Sequence, residues 1–492
     1  MDRSPAGGRS VPPAPPTETW DGDEMTTAID SQRPVSTGAE LEILLQCGRD
    51  ILDGEDTPSQ ASVDGTADWR RTLELARQHG MELLFLRWCR AGSFEGCPSD
   101  ESRYDEKYDR LRRQNLGTIA HLVTLTERLD SAGVECLAYK GPIVSSRAYG
   151  SATVRRYADI DILISPADQR RAKRLLEAEG YEVRQVNRAV FQSVLGHPDR
   201  QSPVDLHTHV VPEFFPLELP FDELYARRKR IDVGGRSVEG LSLSDAILVH
   251  SIHGAKHHWY RLEWILAVAL LMQQHRDLAS LLDRAETLGC ERMVLLAMLL
   301  SQRLFGARFP ERVQRVLDRE SESLRVVRTA ADRVIHWLAD SDWANRNVKR
   351  THLADFRFRS HLMSGRGDKA RFWAAALTNP RPEDEEAVPL PESLSPLYRV
   401  IRPFRLDSGS WNTIWAFFRH SFRSFPESVV MSVPSYLIEP SVAFSSASMV
   451  RPSVLFPHPD SPTNPTVSPR LISKETPSTA FTGGSANIPS PP

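Results

Sequence analysis

Paired cysteines are missing from this chain. Cys47, Cys89, Cys97, Cys136 and Cys290 are scattered over 492 residues with no Cys-x-x-Cys spacing. That argues against a disulfide framework and against structural zinc. No apolar run is long enough to span a bilayer, the stretch 294–300 being too short. The N-terminus is polar and proline-rich, unlike a secretory signal. An excess of one charge sign is missing too. The formal net charge is −3, so no global basic field draws in nucleic acid. These absences predict a reduced, cytoplasmic protein with no membrane partner. They also disfavour long nucleic acid, whose tight binding needs several phosphate-neutralising cations on one surface.

What is present is a core of ordinary composition between two poor ends. Residues 1–38 and most of 407–492 are dense in Pro, Ser and Thr and cannot bury enough surface to fold. One further helix is expected over the aromatic, basic stretch 411–425. From Leu41 the pattern turns helical, with Leu41, Leu44, Leu45, Ile51 and Leu52 able to line one face. A helical stretch runs over 69–90. The clearest amphipathic helix spans 104–130, ending where Gly133 suits a C-cap. Strands are expected at 134–139, 157–164, 181–186 and 204–211, with helices at 143–149 and 170–179 between them. Residues 243–305 and much of 320–380 read as helices. The expected division is a helical region at 39–130, an α/β core at 131–240 and a helical domain at 241–406.

The chemistry centres on Asp159-Ile-Asp161. Two carboxylates at i and i+2 on a strand share one face, about 6–7 Å apart. Burying two like charges there is costly unless something positive lies between them. Mg²⁺, which takes one or two carboxylates plus phosphate oxygens, is the simplest partner. Asp205, in Val204-Asp-Leu-His207, lies on a later strand; antiparallel pairing of the two strands would set it beside the pair. Three acids around one or two Mg²⁺ ions make a phosphoryl-transfer clamp. Upstream, Lys140-Gly141 ends a strand just before a helix, where glycine lets backbone approach phosphate and the helix N-terminus favours anions. Lys140 and Arg155 are the cations for phosphate oxygens.

At these residues the chain resembles a known family, the bacterial uncharacterised nucleotidyltransferases of the DNA polymerase β-like superfamily. The resemblance is carried by Ala138-Tyr-Lys-Gly-Pro-Ile143, Tyr149, Arg155 and Asp159-Ile-Asp-Ile-Leu-Ile164. It continues through Ala172 to Gly180-Tyr181, Val204-Asp-Leu-His207 and Ile252-His-Gly-Ala-Lys-His-His-Trp259 with Leu262 and Trp264. Leu397-Tyr398 and Arg402-Pro403 look like the family's closing motif, so the likeness spans roughly residues 40–406. It implies an α+β fold, a palm-like mixed sheet with flanking helices. It implies Asp159 and Asp161 as metal ligands, Asp205 as a third carboxylate helping to activate the acceptor hydroxyl, and Gly141 in place of the superfamily's Gly-Ser phosphate loop. The expected reaction moves an NMP group from an NTP to a hydroxyl-bearing acceptor, a protein side chain among the acceptors left open. Two positions depart from the pattern. Pro142 follows the glycine where a serine is usual, and Ala267 stands where an aspartate is common.

Other readings stand beside this one. Asp159 could simply pair with Arg155 or Arg156. His250, His253 and His257 share one helix face at ligand-like spacing, though hydrogen bonding between domains fits them better than metal. Asp205-Leu-His-Thr-His209 looks like the metal motif of PHP-type phosphoesterases, with His207 and His209 as ligands on a barrel strand. A non-catalytic nucleotide-binding protein of nucleotidyltransferase fold is the third alternative.

Overall fold

The computed structural model describes residues 38–55, 68–92, 102–187, 191–200, 202–212, 214–339, 352–379, 384, 388, 390 and 392–406. The expected disorder at 1–38 falls outside these save for Gly38, and the 407–492 tail with its expected helix falls wholly outside. All described residues belong to one compact unit, Met1–Val433.

Four helices lead in: α1 (Ala39–Asp53), α2 (Trp69–Gln78), α3 (Glu82–Ala91) and α4 (Ser102–Ser131). The single helix expected over 69–90 is two. Gly80, at φ 74°, takes the left-handed conformation that stops α2, and the Met81 amide turns back to the Ala76 carbonyl. On α4, Ile119, Leu122, Leu125 and Leu129 recur at three- and four-residue steps and are all buried.

The sheet follows. Its strands are β1 (Cys136–Ala138), β2 (Ile160–Ile164), β3 (Glu182–Asn187), β4 (Gln192–Gly196), β5 (Val204–His207), β6 (Lys229–Asp232) and β7 (Ser237–Gly240). Helix α5 (Pro142–Tyr149) separates β1 from β2, α6 (Gln169–Ala178) separates β2 from β3, and α7 (Phe221–Ala226) precedes β6. The strands lie in the order β3-β4-β5-β2-β1-β7-β6. Pairing is mixed: β1–β7 and β2–β5 run parallel, the other neighbours antiparallel. This is the expected α+β architecture, a mixed sheet with flanking helices.

One expected pairing is overturned. β2 and β5 are parallel, with Asp161 opposite Asp205, rather than antiparallel. The reason is parity. The expected path from β2 to β5 contained one helix and one strand, but β4 adds a second strand to it. That extra reversal turns β5 round.

The two faces of the sheet bury different partners. Ile160, Ile162 and Ile164 of β2, with Val204 and Leu206 of β5, share a core with α4 and α6. Period-2 alternation therefore sends Asp161, Asp205 and His207 to the opposite face. There Leu137, Tyr139 and Leu163 join a second core with α8 (Leu243–Lys256), α9 (Leu262–Gln273) and α11 (Glu291–Phe305). Helices α10 (Leu278–Thr287), α12 (Glu311–Asp318), α13 (Glu322–Ala339), α14 (His352–His361), α15 (Arg366–Thr378) and α16 (Tyr398–Leu406) complete the described helices. The helical reading of 243–305 and of much of 320–380 matches them where residues are described, 340–351 and 380 lying outside. Among the described residues no helix is long and apolar enough to cross a membrane.

Candidate active site

The acids sit where sheet meets helices, on a stretch pinned from several sides. Asn115 of α4 donates to the carbonyls of Thr153 (3.0 Å) and Arg155 (2.8 Å), and the Tyr157 hydroxyl donates to the Ala152 carbonyl at 2.8 Å. The Ile160 amide donates to the Pro203 carbonyl at 3.0 Å, locking the start of β2 beside β5. Asp159 stands one residue before β2 and is half-buried; Asp161 lies within the strand and is buried.

Asp161 is neutralised from within the chain. Lys140 donates to its Oδ1 at 2.7 Å, and His207 Nε2 donates to the same oxygen at 3.1 Å. Burial alone would raise the Asp161 carboxyl. The Lys140 charge and the His207 hydrogen bond outweigh it and hold the group well below the usual carboxylate range. In return Lys140 stays firmly protonated, the pull of Asp161 overcoming its own burial. Burial keeps His207 neutral. The positive partner demanded by a buried acid pair is thus a lysine of this chain.

Asp205 has no such partner. Its Oδ2 accepts a hydrogen bond from Gln192, but burial, with the charges of Asp161 and then Asp159, pushes its pKa up to about 7. Asp159 is raised in the same way, by burial and by Asp161. One carboxyl is thus fully ionised while a neighbour is poised to exchange a proton near neutral pH, a pairing suited to acid–base work.

The donor atoms of Asp161, Asp205 and His207 come within 4.8 Å of one another. Two carboxylates and an imidazole suit a divalent cation, Mg²⁺ through the oxygens and Mn²⁺ or Zn²⁺ through the nitrogen as well. Asp159 is not a member of that closest group. A cation on Asp161 Oδ1 has to compete with the Lys140 ammonium.

The glycine turn has the geometry its sequence calls for. Gly141 adopts φ 51°, ψ −121°, a backbone region open to glycine and costly for other residues, and Pro142 opens α5. A side chain at 141 would meet the Asp159 carbonyl at 3.5 Å. Arg155, expected on phosphate, is committed elsewhere. It bonds the Glu263 carboxylate through Nη2 at 2.9 Å and pairs with it through Nε at 2.7 Å, while its Nη1 reaches the Gly141 carbonyl at 3.4 Å. The Tyr149 hydroxyl donates to the same carboxylate at 3.2 Å. Glu263 lies one helical turn before Ala267, and both line the small cavity that also holds Lys140 and His250. Arg156 pairs with Glu82 at 3.5 Å, so the ion pairs of both arginines go to glutamates rather than to Asp159.

The histidines divide. His250 Nε2 donates to the Tyr139 carbonyl at 3.1 Å, tying α8 to the end of β1. His253 and His257 lie side by side, rings 4.6 Å apart and tilted by 54°, against Trp264. The phosphoesterase reading of Asp205-Leu-His-Thr-His209 is overturned. The sheet is open, its end strands β3 and β6 unpaired with each other, and β5 stops at His207. His209 is exposed and packs on Phe191, 4.0 Å between rings, while His207 serves Asp161. Gln192, Glu263 and the Lys140–Asp161 bond went unforeseen. Alternation along β5 was the one available signal, since it places His207 on the face of Asp205.

No curated protein matches the sequence. Among solved structures, the antibiotic-resistance factor ANT(2'')-Ia aligns at 14% identity and a TM-score of 0.25, over 35% of this chain and 88% of its own. An antigenic nucleotidyltransferase-like protein from Paracoccidioides brasiliensis aligns at 14% identity and a TM-score of 0.23, over 39% of this chain and 93% of its own. The stretch 65–306, which holds the acids, the glycine turn, α8 and α9, matches the model of the family described as Uncharacterised nucleotidyltransferase.

Proposed function

We propose that the chain transfers a nucleoside monophosphate from an NTP to a hydroxyl group of an acceptor, releasing pyrophosphate. The observation that carries this reading is the side-by-side placement of Asp161 and Asp205 on parallel strands, on the face turned toward the helices. The family match over 65–306 supports it.

The acceptor oxygen attacks the α-phosphorus, and the P–O bond to the β-phosphate breaks. The hydroxyl proton passes to Asp205. Gln192 occupies Asp205 Oδ2, which leaves Oδ1 as the oxygen that takes the proton. Asp159, Asp161 and Asp205 are the residues that would hold Mg²⁺, one ion or two, with His207 beside them; bound there, the metal neutralises phosphate charge and acidifies the hydroxyl. Lys140, released from Asp161, is placed to meet a phosphate oxygen. The Arg155–Glu263 pair keeps the glycine turn in place rather than touching substrate.

Calorimetry with each of the four NTPs, with and without Mg²⁺, tests the reading on the wild type and on Asp159→Asn and Asp161→Asn. Mg²⁺-dependent binding that the variants lose, with Asp159→Asn folded but unable to transfer, is the expected result. Full transfer activity in Asp159→Asn would sink the assignment.

A further inference from the structure

The pocket beside the acids is short of negative charge. Lys140, His207 and His209 line it from the sheet side, and His253 and Lys256 from α8. The Arg359 guanidinium arrives at the same end, donating to the Lys256 carbonyl at 2.9 Å. Of these cations Lys140 has a carboxylate, Asp161. Among the described residues the Lys256 ammonium has no hydrogen bond and no ion pair. Its burial, with repulsion from Lys140 and Arg359, pushes its pKa down to about 7, a sign of positive charge in excess.

Lys256 is the last residue of α8, and the chain turns sharply beyond it. The Trp259 indole lies flat on Gly254, where an added Cβ would meet ring atoms at 2.4 Å. His258 and Trp259 both take left-handed backbone, φ 57° and 52°. A half-buried cation without a counter-ion is partly desolvated at a cost, and a bound anion relieves that cost.

Resting on the nucleotidyl-transfer reading, we propose that His253-Gly-Ala-Lys-His257 is the subsite for the β- and γ-phosphates of the NTP, with Lys256 Nζ as its anchor. Pro142 removes a backbone donor and a hydroxyl from the glycine turn, and this segment of α8 supplies the phosphate contacts instead. Lys256 holds the leaving pyrophosphate; it does not exchange a covalent bond.

Inorganic tripolyphosphate is the probe, because it carries no base or sugar. Calorimetry compares tripolyphosphate, NTP and NMP on the full chain, its Lys256→Met variant and its Lys256→Arg variant. Methionine keeps the apolar stem and removes a half-buried charge, so the fold is retained, as circular dichroism will verify. Lys256→Met should bind tripolyphosphate and NTP about ten- to a hundredfold more weakly, with NMP affinity unchanged and Lys256→Arg recovering most of the loss. Equal tripolyphosphate affinity in wild type and Lys256→Met overturns the subsite. Tripolyphosphate bound through Lys256 with no NTP bound leaves the subsite standing and removes the transfer reading. NTP binding that Lys256→Met does not weaken does the reverse.

Discussion

Asp161 and Asp205 stand opposite each other on neighbouring parallel strands, yet their protons are driven in opposite directions. Lys140 and His207 hold Asp161 ionised despite its burial, while burial and the charges of Asp161 and Asp159 raise Asp205 to about 7. A lysine and a histidine on one carboxylate, against a lone glutamine on the other, separate a permanent anion from a group that can trade protons.

The raised carboxyl leaves a signature in stability. The folded pKa of Asp205 lies above its unfolded value, so the native state binds the extra proton between about pH 4 and 7. Its contribution is fully present below pH 4 and is lost as pH rises through 7. Asp205→Asn cannot ionise. In chelator-treated protein it should gain on the wild type across that window, reaching on the order of 2–4 kcal/mol at pH 7.5. Urea midpoints of both proteins at several pH values measure the gap; a gap that is flat with pH refutes the assignment.

Lys140→Met should do the opposite. It leaves the Asp161 carboxylate, 4% exposed, with only a neutral histidine. Breaking one side of a buried pair costs about 3–5 kcal/mol. The double variant Lys140→Met/Asp161→Asn should recover most of the loss, and added Mn²⁺ or Mg²⁺ should recover part of it in the single variant. Thermal unfolding of the four proteins of this cycle, with and without cation, reads both effects.

Gly141→Ala separates shape from charge. Its φ of 51° with ψ −121° should cost about 1–3 kcal/mol for alanine. The new methyl also comes into van der Waals contact with the Asp159 carbonyl, so relief of the backbone strain shifts the residue that carries the first acid. Transfer activity should therefore fall by more than the stability loss explains, while Asp161 and Lys140 keep their bond. Activity measured well below the melting temperature tells the two apart; a variant of lowered stability but full turnover would show that the turn only supports the fold.

Much of this was legible in the sequence because it was periodic. The helices from 243 onward, α4 and the acid-bearing strand follow from apolar spacing, and Lys140, Gly141, Asp161 and Asp205 do converge. What failed was strand count. Gln192–Gly196 is a mostly polar-edged strand ending in glycine. At Gly196 an added Cβ would run into the Arg184 guanidinium, a cross-strand constraint invisible along the chain. Missing β4 inverted the direction of β5. The β6–β7 hairpin has its sequence signal in Gly234-Gly235, both at positive φ. Glu263 could not be read at all. Its partners, Arg155 and Tyr149, lie more than a hundred residues away, and only the docking of α9 on α5 brings them together.

The carbonyl of Tyr139 is where sheet and helices are riveted. His250 grips it from α8, while the ring of the same residue stands edge-on to His207 at 5.6 Å. Lys256 lies under two helical turns further along α8. Any tilt of that helix moves His250 with Lys256, drags on the last residue before the Lys140 turn, and is felt at the base of Asp161. The acids and the basic pocket are therefore parts of one frame. Excising the sheet as a free-standing catalytic module would cut through the residue that aligns it.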